Sequence, residues 1–153
     1  MNNNRKYIPE IGLENARILF RNFRGDEQKY NPAGKRNFCV VIPEEYEQKL
    51  IDDGWNIKHL DPRDEDDSPT AYLQVTVRYD SYPPMIYMIS NGRKTLLDSE
   101  TVELLDRAEI DNVDLVISPY YWEMGSKSGV TAYLKEMYVT VRVSRFAEKY
   151  ADM

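Results

Sequence analysis

Histidine and cysteine are almost missing from this chain: its 153 residues hold one of each, His59 and Cys39. A lone cysteine closes no intramolecular disulfide, and these two side chains fall short of the ligand set of a structural or catalytic zinc. Cys39 lies within Phe38, Cys39, Val40, Val41 and Ile42, where a small buried hydrophobe is the plain expectation. No apolar run approaches the about 18 residues of a membrane span. The start, Met1, Asn2, Asn3, Asn4, Arg5, Lys6, leads into Tyr7, Ile8, Pro9 and Glu10 without the apolar stretch of a secretory signal, so the expected compartment is the cytoplasm.

Catalytic signatures are lacking as well. Gly34 and Lys35 are followed by Arg36, and Lys29 stands where a phosphate-binding loop needs its first glycine. The loop from Gly125 to Gly129 contains Ser126 and Ser128 but is no nucleophile elbow. His59 follows a helical pattern in an acid-rich run and reads as a surface residue at a strand end. Asp61, Asp64, Glu65, Asp66 and Asp67 lack the glycine of a calcium loop and are bracketed by Pro62 and Pro69, which favours a solvated loop over a cation site. No enzyme, metal or cofactor is expected.

What is present is segregated charge. The net charge is -6, against coating duplex DNA by bulk charge. Yet Arg17, Arg21, Arg24, Lys29, Lys35 and Arg36 meet only Asp26 and Glu27 between positions 17 and 36, whereas ten acids meet Lys49, Lys58 and Arg63 between positions 44 and 69. A basic face and an acidic back follow.

The patterning is mainly that of strands. Ala16, Ile18 and Phe20 alternate with Arg17, Leu19 and Arg21, and an apolar strand resumes over residues 37–42 after the turn Asn31, Pro32, Ala33, Gly34. Pro43, Glu44 and Glu45 open a helix that Asp53 and Gly54 stop. Residues 55–60 alternate as a strand. Ala71, Leu73, Val75, Val77 and Tyr79 oppose Tyr72, Gln74, Thr76 and Arg78 in the clearest alternation of the chain. Asn91 and Gly92 turn a hairpin between residues 85–90 and 93–97. A second helix is expected over residues 98–107, then long strands over 113–122 and 130–143.

The expected fold is mainly β with two short helices: an OB-like, partly open antiparallel β-barrel, with a plain antiparallel α+β sheet fitting nearly as well. Residues 1–12 read as a flexible arm, 13–143 as the domain and 144–153 as a short tail. An exposed strand edge or the arm offers a route to a homo-oligomer.

Twelve tyrosines and two tryptophans stand against four phenylalanines, so most rings carry a polar edge. Several fall next to basic residues on predicted outer faces. Tyr72 shares a face with Arg78, and Tyr133 with Lys135; Tyr120 and Trp122 lead into the loop that holds Lys127, while Arg21, Phe23 and Arg24 end the first strand. Rings for stacking and cations for phosphates are what single-stranded nucleic acid requires. The same tyrosines also suit an ordinary sheet.

Three strings go further: Arg21, Asn22, Phe23, Arg24, Gly25; Tyr30, Asn31, Pro32, Ala33, Gly34, Lys35, Arg36, Asn37, Phe38; and Asp52, Asp53, Gly54, Trp55, Asn56, Ile57, Lys58. With Lys94 to Asp98, Val113 to Leu115, Tyr120, Trp122 and the run from Ala132 to Thr140, they resemble the single-stranded DNA-binding proteins of tailed bacteriophages, which have an OB-like fold. The resemblance spans residues 11–150 and implies protection or organisation of single-stranded DNA in phage replication or recombination, in the host cytoplasm, with replication or recombination proteins as further partners. Phosphates would then fall to Arg21, Arg24, Lys35 and Arg36, and stacking to Tyr72, Tyr120, Trp122 and Tyr133. The alternative is a protein-interaction or inhibitory module that uses the acidic surface.

Overall fold

A computed structural model describes residues 7–62 and 69–142. The acids at 64–67, the first six residues of the expected arm, and the expected strand end and tail from 143 onward lie outside the described residues. Among the described residues nine strands form: β1 (Ile11–Leu13), β2 (Ile18–Asn22), β3 (Arg36–Val41), β4 (Lys58–Leu60), β5 (Thr70–Val77), β6 (Met85–Ser90), β7 (Arg93–Leu97), β8 (Ile110–Met124) and β9 (Lys127–Val141). The helix α1 (Glu44–Asp53) joins β3 to β4.

The helix begins and ends as its sequence dictates. Pro43 sets φ to -57° ahead of the first turn, and Glu44, Glu45 and Glu47 lie at the positive end of the dipole. Gly54 stops it at φ 103°, a left-handed conformation that glycine adopts without penalty, and its N–H caps the last turn. Leu50 is buried beneath the helix, while His59, exposed on β4, hydrogen-bonds Glu47. The strand expected from residue 55 shortens to β4, and Trp55, buried in the core, makes an isolated parallel bridge to Val130 instead.

The expected second helix is instead a 3-10 turn, Val102–Asp106. Its buried residues, Val102 and Leu105, are three apart, a spacing common to both kinds of helix. The Asp98 carboxylate accepts the N–H groups of Glu100 and Thr101 ahead of it. These bonds hold the Asp98 carboxyl below the usual carboxylate range, the Thr101 N–H contributing most.

The sheet runs in the order β1-β8-β9-β5-β3-β2, with β4 on β5 and the β6-β7 hairpin on β9. It is mixed, not antiparallel as expected. β9 pairs antiparallel with β8 over its whole length, but parallel with β5 at Thr76 and Tyr133, and parallel with β6 from Met85 and Glu136 to Ile89 and Thr140. Alternation tells which face a side chain takes and carries no information on the direction of the neighbouring strand.

At the other end one stretch serves two neighbours. β1 pairs with β8, β2 pairs with β3, and between them the Ala16 N–H donates to the Val113 carbonyl and the Val41 N–H to that of Arg17. Ile8 and Ile11 are buried, so packing begins ahead of the boundary expected at residue 13. Phe38, Val40, Leu73, Val75, Ile117 and Val139 fill the interior, each contributing about 1.5–3 kcal/mol by leaving water.

Candidate nucleic-acid interface

The outer face is built by strand alternation. On β5, Ala71, Leu73, Val75 and Val77 go inward, which leaves Tyr72, Gln74, Thr76 and Arg78 outside. The parallel register sets Tyr133 of β9 beside Thr76, and the antiparallel one sets it opposite Ser118 of β8, two residues from Tyr120. The Tyr133 ring meets Tyr120 edge-on, with centroids 6.1 Å apart, and the Arg78 guanidinium lies 5.6 Å from its centre. Arg78 also bonds the Tyr133 hydroxyl at 3.5 Å and grips the Asp80 carboxylate with Nε and Nη2 at 3.1 and 3.2 Å. This grip holds Asp80 below the usual carboxylate range and raises the Arg78 pKa.

Tyr133 and Arg78 form a ridge between two depressions. One, of about 650 Å³, is bordered by Lys35, Arg36, Thr76 and Thr131. The other, of about 730 Å³, is bordered by Tyr82, Pro83, Met85, Tyr120 and Lys135. Into the second reaches Glu10, which accepts from the Ser118 hydroxyl at 2.8 Å and pairs with Lys135 at 3.0 Å. Ser118, then Lys135, lowers the Glu10 pKa, so this acid stays ionised beside the cation. Among the expected site residues, Arg78, Tyr120, Tyr133 and Lys135 thus meet, and Lys35 and Arg36 face them across the first depression.

Trp122 and Lys127 continue toward the β8-β9 tip. The half-buried Trp122 indole lies flat on Gly129, where a Cβ would come within 2.8 Å of its ring, so only glycine fits beneath it. Lys127 is exposed. At the opposite end Tyr72 stands four residues from Thr76 along β5, about 13 Å away at the rise of a strand. Its partner is Phe20, with centroids 6.2 Å apart.

Phe20 departs from expectation. Alternation sends it inward with Ala16 and Ile18, yet it is 61% exposed at φ 52°, because the β2-β3 register shifts between Leu19 and Asn22. A bulky residue in left-handed conformation costs roughly 1–2 kcal/mol. Tyr82, at φ 51° and 96% exposed, repeats the arrangement at the rim of the second depression. Strain of this kind gathers at functional surfaces.

Other basic-loop residues do not reach this face freely. Phe23 is fully buried and stacks on Phe38 at 5.2 Å, which removes it from any stacking role: the bulge that turns Phe20 out restores the inward phase at Phe23. Arg21 donates to the carbonyls of Leu105 and Ala108 at 2.8 and 2.7 Å. Arg24 pairs with Asp26 and Glu103, and Arg36 donates to the Phe23 carbonyl at 2.9 Å while lying 5.3 Å over Tyr79. Burial pushes the Tyr79 phenol up to about 12, so it remains neutral.

The loop itself is held by asparagines that the charge pattern did not flag. Asn31 Nδ2 donates to the carbonyls of Asp26, Pro32 and Lys35, Asn37 donates to Asn31, and Asn22 Oδ1 accepts from Gly25 and Asp26. Buried and satisfied, they fix a loop that presents Lys29, Tyr30 and Lys35 outward. Three asparagines near a turn string were the available signal. Among the described residues no group of three His, Cys, Asp or Glu is placed to hold a metal, and no helix is long and apolar enough to cross a membrane.

Fold and face together define a mainly β protein with a ridge of aromatic and cationic side chains on one sheet surface. The family profile described as "Putative phage ssDNA-binding domain" matches residues 2–153, and the chain belongs to that family. Among solved structures it is similar to the single-stranded DNA-binding protein of bacteriophage Enc34 in complex with ssDNA, at 13% identity and a TM-score of 0.58, covering 90% of this chain and 89% of that one. A second structure of that phage protein aligns at 14% identity and a TM-score of 0.56, over 94% of this chain and 87% of that one. Its C-terminal truncation aligns at 16% identity and 0.54, over 88% and 87%. At such identities the likeness is one of fold. Curated protein sequences give no match.

Proposed function

We propose that this protein binds single-stranded DNA without strong sequence preference, across the outer face of β5 and β9, as a binding protein and not an enzyme. The observation that carries this reading is the Tyr120, Tyr133 and Arg78 cluster raised between two depressions. Bases stack on such rings whatever their identity, and the flanking cations receive phosphates. Membership of the phage family and the fold shared with a protein solved on ssDNA support it.

The same proposal takes the connectivity as OB-like. The succession β2-β3-β5-β9-β8, the parallel contact of β5 with β9, and the stretch that touches both β8 and β3 support that reading. In OB-folds oligonucleotides cross the second and third strands between the first and last hairpin loops. Here those parts are the face of β3 and β5, the loop with Lys29, Tyr30 and Lys35, and the tip with Lys127. The biological setting proposed is protection or organisation of single strands during phage replication or recombination, in the host cytoplasm.

Anisotropy of a labelled oligo-dT, with a duplex competitor at about 50 and about 200 mM salt, tests the reading. Single-strand-selective binding is expected, weakening with a log-log slope of about -0.7 per phosphate neutralised. Trp122 fluorescence should quench on binding while buried Trp55 stays constant. Absence of binding at the lower salt would overturn the assignment.

A further inference from the structure

The arrangement around Tyr133 occurs a second time on β9. Tyr138 stacks on Tyr87, its partner across the β6-β9 ladder, with centroids 5.2 Å apart and planes 14° from parallel. Lys94 of β7 holds its ammonium 4.6 Å from the Tyr87 ring centre. Each place therefore joins two tyrosines and one cation lying over a ring, as Tyr120, Tyr133 and Arg78 do.

Sequence spacing alone would separate the two places. Tyr133 and Tyr138 are an odd number of residues apart, and a regular strand would point them to opposite faces. A bulge prevents this: Val116 pairs with Glu136 and Ile117 with Leu134, which leaves Lys135 without a partner. The buried set accordingly changes from Val130, Ala132 and Leu134 to Met137 and Val139, and both tyrosines share the outer face. The partner strand spans the same interval in four residues, from Ser118 to Asp114, so they lie about 13 Å apart.

The second place has exposed apolar and basic borders. Met85 and Leu96 are 45% and 54% exposed, and Leu96 stands opposite Tyr87. Among the described residues Arg93 and Lys94 form no ion pair, unlike Arg78 and Lys135. On the β8 side, Asp114 stands opposite Tyr138, and Glu136 stands beside Met85. A strand passing here would keep its phosphates toward β7 and away from those acids.

We propose that Tyr87, Tyr138 and Lys94 form a second stacking station for the same DNA strand, with Arg93 and Lys94 on its phosphate side. This rests on the Tyr133 face being the first. A base takes the ring face that Lys94 now covers, and the ammonium moves to an adjacent phosphate. A cross-strand aromatic pair also stabilises a sheet, so the test must separate binding from folding.

Labelled oligo-dT of about 4, 8 and 16 nucleotides, spanning the known site sizes of single-strand-binding domains, is titrated into wild type, Tyr87→Leu and Lys94→Gln. Wild-type affinity should rise with length. Tyr87→Leu should lose roughly 5- to 100-fold on the longest oligonucleotide, the range expected for one stacked base, Lys94→Gln should lose a smaller, several-fold amount that shrinks at higher salt, and both should leave the shortest unchanged. Unchanged binding of the shortest also reports an intact fold. Long-oligonucleotide affinity equal to wild type in both variants overturns the second station and leaves the first standing. Failure of wild type to bind any length overturns the first reading, and the second with it.

Discussion

The basic loop before β3 and the face formed by β5 and β9 answer the same question differently. The loop has the denser positive charge, yet Arg21 and Arg36 donate to backbone carbonyls. Such carbonyls are fixed, and removing their donor leaves partly buried acceptors unsatisfied. On the face, Arg78 and Lys135 are bound too, but to the exposed carboxylates Asp80 and Glu10. An exposed ion pair is worth little and a phosphate can replace the acid. Density of charge along a sequence thus measures neither availability nor affinity. The partner atom decides whether a cation serves the fold or the ligand.

Arg21→Met should break this contrast most forcefully. Losing two charge-assisted bonds to carbonyls is expected to cost about 3 kcal/mol of stability, a fall in Tm of roughly 6–12 °C by thermal denaturation. Oligonucleotide affinity of the folded protein should change by less than about twofold. A large loss of affinity with an unchanged Tm would put Arg21 on a phosphate instead. Tyr133→Ala should behave in the opposite sense, raising Kd about 5- to 100-fold by anisotropy with only a few degrees of change in Tm.

Phe20→Asn sharpens the contrast within one residue. Asparagine tolerates φ 52° better than phenylalanine, so stability should rise by about 1 kcal/mol while DNA affinity falls several-fold. Both changing together in one direction would remove Phe20 from the interface. The smallest effect is expected from Glu10→Gln, which frees Lys135. Binding should tighten about twofold to fivefold at about 50 mM salt, with a slope steeper by up to about 0.7.

Because the folded-state pKa of Glu10 is depressed, its stabilising contribution is full above the ordinary carboxylate pKa and is lost only as pH falls through the lowered value. Wild-type affinity should therefore gain nothing from Glu10 protonation between pH 7 and about 5, by titration across that range.

Local chemistry made parts of this structure legible in advance. The alternation of Tyr72 to Arg78 gave a strand and its outer face, Pro43 and Gly54 bounded the helix, and Asn91 with Gly92 turned the hairpin. What escaped was set by partners distant in sequence. The parallel contact of Thr76 with Tyr133 leaves no trace in either strand's own pattern. The bulges beside Phe20 and Lys135 reverse the phase of alternation, which by itself points Phe20 inward and Phe23 outward when each does the reverse. The Asn22, Asn31 and Asn37 bonds likewise depend on a loop closing on itself.

The central place of β9 has a consequence for the order of events in the cell. It is the last described strand, and β5, β6 and β8 all pair with it, while β1 joins β8 across a hundred residues of chain. Contacts so far apart in sequence form slowly, on the millisecond-to-second scale of β-rich domains. A nascent chain still short of β9 has Thr76 without Tyr133 and Tyr87 without Tyr138. The first aromatic cluster therefore comes into being only after translation has passed residue 133 and the second only after residue 138, and a polypeptide still short of β9 presents neither of them to passing single strands.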